Sequence, residues 1–417
     1  MSATTPTQNN ERETFMDALR GFAILGIFIA NLAHLSFYND DAEIVSPWMV
    51  EGWDHTIRFL HYMFIEGKFY SIFSLLFGWG IALQLKRGAS RGIDAFPIVK
   101  RRLSIMLLLG ALHLLIWTGD IVFFYALLGF IMLPLRKFSN KKLLIAAVLL
   151  ILSPILLYGL KMTFPILNYP TEKLYETANR VTTFFFGEMS REKYMNLMHA
   201  GSWLDQLKVN MAEFFFRYGY LFYVSRIPKV VGMFLIGYVI GRTDFYKNII
   251  QHKKIVYKII ILGLLIGLPA NYLLASYMSS PISGEYYNLQ VSGLKMTIYY
   301  ALGVAPLALT YVGLMMLGFQ TKPGNKVLQV AAPVGKMAFT NYIMHSLIGN
   351  FVFLGAGLDM MGQVGPVYFT LFGITVFIFQ IIFSTVWLKY FQFGPIEWFW
   401  RSLTYKKRQP FIATLKN

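Results

Sequence analysis

The sequence contains no cysteine among its 417 residues. Without a thiol, the chain cannot form a disulfide, hold a thiolate metal site or use a cysteine nucleophile. Charged residues are also scarce, at 14%, whereas hydrophobic residues make up 56%. This composition is far too apolar for a water-soluble domain of this length, so lipid is the expected solvent.

Several familiar catalytic signatures are missing as well. The chain has no P-loop, no dinucleotide-binding fingerprint, no HExxH and no nucleophile elbow. Phosphate-cradling ATPase, zinc protease and serine hydrolase functions therefore lack support from motifs. His55 and His61 are six residues apart, a poor spacing for one metal ion, and no metal site is predicted.

Long apolar segments recur along the chain, and about 20 such residues cross a bilayer as a helix. The predicted fold is all-α, a polytopic transmembrane bundle. Ten segments are predicted to cross: 15–37, 59–85, 98–117, 121–135, 143–160, 227–240, 255–277, 294–319, 334–354 and 367–390. The first is read as an anchor and not a cleaved signal, because residues 1–13 lack a basic start.

Lysine and arginine concentrate in the short connections between these segments. Because such residues stay preferentially on the cytoplasmic side, the connections near 86–102, 136–142, 242–254 and 322–336 are predicted to be inside, together with both termini. The outer side then receives the acidic residues Asp40, Asp41, Glu43, Glu51 and Asp54. The predicted location is the cell membrane, crossed many times.

The formal charge of +17 invites a nucleic-acid function. Anionic lipid headgroups and topology explain that charge, so membrane lipids are the expected partners and nucleic acid is not. The one long connection, 161–229, separates the N-terminal helices (1–160) from the C-terminal helices (230–417) and is predicted to form helices on or in the outer face. The oligomeric state stays open, a homo-oligomer included.

The first helix carries polar residues where they are costly. An ionisable side chain inside a span costs about 2.5 to 3.5 kcal/mol on insertion scales and normally faces a protein interior or a watery cavity. Asp17 and Arg20 are spaced to pair at i,i+3, which is also what a purely structural ion pair would do. Arg20 and Asn31 are eleven residues apart and share nearly one helix face. All three are predicted to bind substrate.

A hairpin of two short apolar arms surrounds His113 and Asp120. Each arm has about 15 residues, or roughly 22 Å of helix, against a hydrocarbon core of about 30 Å. The turn between them is therefore expected at the floor of an outer depression, with both residues open to water. Although a lone histidine usually makes an interhelical hydrogen bond, the nearby carboxylate would orient and activate this one. His113 and Asp120 are the predicted catalytic pair.

Two further groups are candidates for substrate binding. Asn341 and His345 lie at i,i+4 on one predicted span, where interhelical hydrogen bonding is an equally good explanation. Glu66 and Lys68 stand at the outer entry of the second span, where they either line a vestibule or mark the interface. Gly78 and Gly80, further along that span, are interpreted as packing residues.

The YeiB-like family of bacterial membrane proteins resembles this chain in three stretches: MDALRGFAILGIFIANL, then FSLLFGWGIALQ with GALHLLIWTGDIVFFYALLGF, and finally KMAFTNYIMHS with FGPIEWFWRSLTY. The resemblance covers nearly the whole chain in order. That family is grouped with membrane acyltransferases, including the lysosomal heparan N-acetyltransferase and the bacterial O-acyltransferases of surface polysaccharides. The resemblance implies acyl transfer from a cytoplasmic donor such as acetyl-CoA, with a membrane-embedded histidine.

One position departs from the polysaccharide acyltransferases, which carry a histidine where this chain has Asn31. That catalytic histidine therefore does not transfer. The lysosomal relative is similar to this chain in having asparagine there, with its active histidine further along, so His55 or His61 is the counterpart by rough position. The resemblance supports roles for Arg20 and Asn31 only.

The leading hypothesis is a membrane acyltransferase that uses an acyl-CoA-like co-substrate and a membrane, envelope or lipid-linked acceptor. His113 would act as general base or become acylated, and the basic inner residues Lys86, Arg87, Arg101 and Arg102 would dock the donor. The alternative is a transporter or flippase for a lipid or small anion, in which the same residues line a path. A non-catalytic sensor or structural partner is the third hypothesis.

Overall fold

The structure, a computed structural model, describes residues 14–38, 46–247 and 249–413, and there it is almost entirely helical. Its first half contains α1 (Thr14–Leu35), α2 (Trp53–Phe64), α3 (Lys68–Ser90), α4 (Phe96–Leu114), α5 (Val122–Leu135), α6 (Asn140–Thr163), α7 (Tyr169–Phe186), α8 (Arg191–Ala200) and α9 (Trp203–Tyr223). The predicted all-α fold is confirmed. Asp40, Asp41 and Glu43, predicted to lie outside, fall in none of the described ranges.

The second half continues the helical succession. It contains α10 (Arg226–Arg242), α11 (Ile249–Leu262), α12 (Leu268–Met278), α13 (Val291–Gly318), α14 (Lys322–Leu328), α15 (Ala332–Lys336), α16 (Ala338–Phe353), α17 (Pro366–Tyr390) and α18 (Pro395–Tyr405). A π-helical turn, Gly263–Gly267, joins α11 to α12. Short 3₁₀ turns lie at Pro165–Asn168, Pro281–Asn288 and Gln329–Ala331.

Six helices in the described ranges are long and apolar enough to cross a membrane, or up to seven if the bent pair α9 and α10 counts as one span. The pair is bent by 72°. All ten predicted segments fall on helices, but the number of crossings, ten, stays a prediction. Two segments are broken: 59–85 at Gly67, whose positive φ of 83° suits glycine, and 334–354 at Met337.

The basic connections meet at one end of the bundle, called here the basic end. Arg242, at the end of α10, donates hydrogen bonds to the carbonyl oxygens of Arg136 and Phe138. Lys86 pairs with Asp244. Phe15, at the start of α1, stacks on Tyr246 with ring centroids 4.3 Å apart. Four stretches far apart in sequence thus share one end, as the charge pattern predicts for loops on one side.

Glycines let the helices behind this end approach closely. A Cβ on Gly78 of α3 would lie 1.9 Å from the Phe234 carbonyl oxygen of α10. One on Gly335 of α15 would lie 1.8 Å from the backbone carbonyl oxygen of Asp17 in α1. Such small-residue contacts are typical of helices packed in lipid. Gly78 is a packing residue as predicted, whereas Gly80 has nothing within 4 Å.

The connection 161–229 forms helices that pack onto the bundle. Ser202 and Asp205 form a capping box that starts α9. At its end, Ser225 has a φ of 50° and redirects the chain into α10. α9 is therefore bent by 72° from α10 and places Asn210 against the hairpin of His113 and Asp120.

Candidate active site

Three polar side chains from distant parts of the chain form one hydrogen-bonded row. Asp120 Oδ2 is 2.7 Å from His113 Nδ1, and His113 Nε2 is 3.0 Å from Ser346 Oγ. With Asp120 ionised, Nδ1 carries the ring proton, so Nε2 accepts the serine hydroxyl. This is the arrangement of a Ser-His-Asp triad, which is recognised by geometry and not by sequence order.

The hairpin holds two members of this row, His113 and Asp120, in place. His113 lies in the last turn of α4, where the chain turns before α5. Asp120 Oδ1 accepts a 2.7 Å hydrogen bond from the Phe123 backbone N–H at the start of α5. One carboxylate therefore fixes both the imidazole and the start of the next helix.

The prediction that this pair is open to water is wrong. His113 is 2% exposed and Asp120 is 3% exposed. The reason is the cover provided by other elements. Asn210 of α9 donates hydrogen bonds to the carbonyl oxygens of Leu115 and Ile116, and Asn350 of α16 also donates to Ile116.

A cavity of about 250 Å³ opens from the basic end and reaches the wall in front of the triad. Tyr342 and Ile121 line its depth. The Tyr342 ring packs edge-on against His113 with centroids 5.2 Å apart, and its hydroxyl accepts a 3.1 Å hydrogen bond from the Ile121 N–H. The tyrosine thus stands between the cavity and the imidazole, and the triad itself does not line the cavity.

The cavity has an apolar depth and a basic rim. Apolar side chains such as Phe73, Leu76 and Met106 line its depth. The charged and basic lining residues are Asp17, Arg20, Arg87, Arg102, Lys336, Glu397 and Arg401. Of the four predicted donor-docking residues, Arg87 and Arg102 line the cavity, whereas Lys86 pairs with Asp244 and Arg101 donates to the Thr404 carbonyl oxygen.

On α1, the predicted ion pair of Asp17 and Arg20 is confirmed. Arg20 and Asn31, predicted to share a helix face, do not belong to one site. Arg20 Nη1 lies 2.8 Å from Asp17 Oδ1. Both residues line the cavity, and Asn31 does not. Eleven residues of helix place Arg20 and Asn31 about 16 Å apart along the axis, so the two residues serve opposite ends of the bundle.

On α16, the predicted substrate residues make interhelical hydrogen bonds. Asn341 Nδ2 donates to Ser384 Oγ of α17 at 3.0 Å. His345 Nε2 is 2.8 Å from Gln380 Oε1, and its ring stacks on Phe28 at 3.9 Å. Both residues are buried, and neither lines the cavity.

Glu66 and Lys68 lie at the end opposite the cavity mouth. Lys68 is fully buried, and its ammonium donates a 2.7 Å hydrogen bond to the Tyr62 carbonyl oxygen. Glu66 is half-buried in the turn between α2 and α3. His61, one of the alternative histidines, lies 3.0 Å from Thr370 Oγ1. Neither Glu66 nor Lys68 approaches the triad through a hydrogen bond or ion pair.

Sequence reasoning missed two contributors. The sequence does not single out Ser346, because nothing near it marks a nucleophile. Glu397 lies in the FGPIEWFWRSLTY stretch, and its carboxylate accepts hydrogen bonds from the N–H groups of Phe339 and Thr340 at the start of α16. The signal available in the sequence was an acidic residue, Glu397, within an otherwise largely apolar stretch. In the described ranges, no group of three His, Asp or Glu side chains is arranged to hold a metal ion.

Comparison with known proteins places the chain in a family. A family model described as a protein of unknown function, DUF418, matches residues 240–407. The protein YxaH of Bacillus subtilis is 31% identical over 430 residues, which cover 100% of both chains. YeiB of Escherichia coli is 29% identical over 424 residues, covering 97% of this chain and 99% of that protein. The chain belongs to the YeiB-like family.

The likeness within the YeiB-like family extends over almost the whole chain. A 39.9 kDa protein of Bacillus acidopullulyticus, encoded in an amylase 3′ region, is 26% identical over 408 residues and covers 98% of both chains. No solved structure matches. The matches to these relatives thus run along the whole chain and are not limited to one domain, as the resemblance in the three stretches implies.

Proposed function

We propose that this protein is a membrane acyltransferase in which Ser346, His113 and Asp120 carry the reaction. The observation behind the proposal is the hydrogen-bonded row from Asp120 Oδ2 through the imidazole to Ser346 Oγ, buried behind the Tyr342 ring that lines the cavity. Burial strengthens such a row, because the carboxylate interacts with the imidazole in a low dielectric. A row of this composition activates a hydroxyl that is otherwise a weak nucleophile.

The proposed reaction has two balanced steps. Ser346 Oγ attacks the thioester carbonyl of an acyl-CoA-like donor while His113 Nε2 takes the hydroxyl proton, and the thiolate leaves with that proton as a free thiol. An acceptor hydroxyl or amine then attacks the acyl-serine ester. His113 takes the acceptor's proton and returns it to Ser346 Oγ. Asp120 holds the imidazole in the required tautomer throughout.

The cavity fits the donor better than the acceptor. Its rim carries Arg20, Arg87, Arg102, Lys336 and Arg401 against two carboxylates, which suits the phosphates of a nucleotide thioester. Its apolar depth suits an acyl chain or a pantetheine arm. Tyr342 must turn aside for the carbonyl to reach Ser346. In this proposal the protein lies in the cell membrane with its basic end facing the cytoplasm. The acceptor is a membrane or envelope molecule.

The decisive experiment measures acyl transfer and acyl-CoA hydrolysis by the purified full-length protein and two variants. Ser346→Ala and His113→Gln should each lower the rate by at least about 10³-fold, as for triad members elsewhere. Ser384→Ala is the matched control: it removes a buried serine hydroxyl bonded to Asn341 and should keep activity. Mass spectrometry of the wild type should find the acyl group on Ser346. Full activity in both the Ser346→Ala and the His113→Gln variant would contradict the proposal.

A transporter or flippase is the rival, and one observation favours it. Tyr125 lines the cavity from the basic end, and its hydroxyl donates to the Tyr70 carbonyl oxygen at 2.7 Å, close to the polar residues of the other end. Polar groups thus approach each other from both ends, as along a path. Movement of a labelled lipid between leaflets without any acyl-CoA binding or hydrolysis would decide for this function.

A further inference from the structure

Opposite the basic end, α2, α3, α9 and α10 gather basic side chains against tyrosines. Arg226 of α10 stacks its guanidinium on Tyr70 at 4.4 Å from the ring centroid and lies 5.7 Å from the Tyr300 centroid. Lys229 places its ammonium 4.2 Å from the same Tyr300 ring. The two tyrosine hydroxyls are 3.1 Å apart. These contacts join α3, α10 and α13 around one polar site.

The turn between α2 and α3 closes this site. A Cβ on Gly67 would lie 2.6 Å from the Tyr300 hydroxyl, so the turn that carries Glu66 rests on that tyrosine. Arg58 lies over Tyr62 at 4.3 Å, and Lys68 donates to the carbonyl oxygen of the same Tyr62. Arg217 of α9 is close enough to Arg226 and Glu66 to interact electrostatically.

The basic side chains of this site outnumber its carboxylates. The basic members are Arg58, Lys68, Arg217, Arg226 and Lys229, and the carboxylate among them is Glu66. In the described part of the chain, no ion pair joins Arg217 or Arg226 to a carboxylate, and the buried Nε of each has no hydrogen-bond partner. Buried guanidinium donors without acceptors are costly, more so away from water.

We propose that Arg217 and Arg226, supported by Lys229, bind the phosphate group of an anionic ligand at this site. Two guanidinium forks and an ammonium present more donors than a two-oxygen carboxylate accepts, whereas a phosphate offers three strongly accepting oxygens. Stacking on Tyr70 fixes the Arg226 plane in advance, which lowers the entropic cost of binding. The ligand is either the phosphate of a lipid headgroup or a free phosphate. This proposal does not depend on acyl transfer.

The first test is direct binding to the purified full-length protein. Its two arms are sodium phosphate at constant ionic strength, and bilayer nanodiscs of phosphatidylcholine with or without phosphatidylglycerol. We expect the double variant Arg217→Gln/Arg226→Gln to bind the probe at least tenfold more weakly. Arg180→Gln, which removes an exposed arginine of α7, should stay within twofold of wild type. Binding in only one arm identifies the source of the phosphate.

Thermal unfolding distinguishes loss of a site from loss of the fold. Without ligand, the double variant should unfold at a temperature close to that of wild type, because Arg217 and Arg226 are only half-buried and their replacement breaks no ion pair within the described residues. Phosphate or anionic lipid should raise the unfolding temperature of wild type and leave that of the double variant unchanged. Equal binding by wild type and double variant, or a wild type that distinguishes neither phosphate from chloride nor anionic from zwitterionic lipid, would overturn the proposal.

Discussion

A single carboxylate determines where the helix of Tyr342 and Ser346 begins. Glu397 is buried in α18 and accepts hydrogen bonds from the Phe339 N–H at 2.6 Å, the Thr340 N–H at 3.0 Å and the Thr340 hydroxyl at 2.6 Å. It acts as a cap supplied by another helix, satisfying N–H groups that the first turn of α16 leaves unpaired.

Replacing Glu397 with Gln should therefore destabilise the protein. The amide keeps one acceptor oxygen but loses the charge, and hydrogen bonds to a charged group contribute about 1.5 to 3 kcal/mol each. We expect a loss of that order, read as a lower unfolding temperature in detergent. Glu176→Gln, on exposed α7, removes a charge that only exposed partners contact and should leave the unfolding temperature close to that of wild type. Equal stability of the two variants would contradict the capping role.

At the scale of elements, the contact of α3 with α10 depends on glycines. A Cβ on Gly237 would lie 1.8 Å from the Leu75 carbonyl oxygen, so backbone and not a flexible side chain fills the space. The two helices can only accommodate a methyl group by moving apart. Because Arg226 and Tyr70 are carried by the same two helices, their separation also reaches the phosphate site.

Gly237→Ala should therefore cost about 1 to 3 kcal/mol, the usual range for an overpacked contact. Gly80→Ala on α3 is the matched control, since nothing lies within 4 Å of its Cβ and alanine favours a helix by about 0.5 to 1 kcal/mol. Tryptophan fluorescence during heating compares the two directly. A Gly237→Ala protein as stable as Gly80→Ala would show that the helices are not in glycine-limited contact.

The helices could be predicted because a long apolar run is visible in the sequence itself, and the ten runs fall on helices, two of them across a break between helices. The Asp17–Arg20 and His113–Asp120 contacts join residues three and seven apart, where helix and hairpin geometry limit the options. Ser346 is 233 residues from His113, and no local pattern marks it. A nucleophile elbow is a local sequence pattern, whereas this triad is assembled from distant residues. The absence of that motif therefore did not exclude the triad geometry.

Water access was predicted wrongly for a related reason. A short hairpin implies a depression, but it does not tell what fills it. Asn210, which covers Leu115, is 95 residues further along the chain. It lies in a connection whose sequence shows only that polar and aromatic residues are present, so this contact could not be predicted. The unpaired Nε atoms of Arg217 and Arg226 could not be predicted for the same reason: both residues lie in the connection 161–229, where the sequence predicts only helices at the outer face, and packing alone removes their partners.

On the scale of the whole molecule, the two ends have different chemistry. The basic end carries the cavity and the clustered connections, and the opposite end carries the arginine and tyrosine site. α13 runs from one to the other, from Val291 to Gly318. If the basic end faces the cytoplasm, the acyl donor and the phosphate ligand approach from different sides, which is what transfer or transport across a membrane requires.

The orientation can be tested in a chain that has no cysteine of its own. Gly284→Cys lies before α13, where a Cβ meets nothing within 4 Å, and Lys326→Cys lies after it on an exposed position of α14. Because basic connections stay inside, a membrane-impermeant maleimide added to intact cells should label Gly284→Cys and not Lys326→Cys. Both should label once the membrane is opened, and the cysteine-free parent should stay unlabelled. Labelling of Lys326→Cys alone would reverse the orientation, including that predicted for Met1 and Asn417, and labelling of both in intact cells would mean that α13 does not cross.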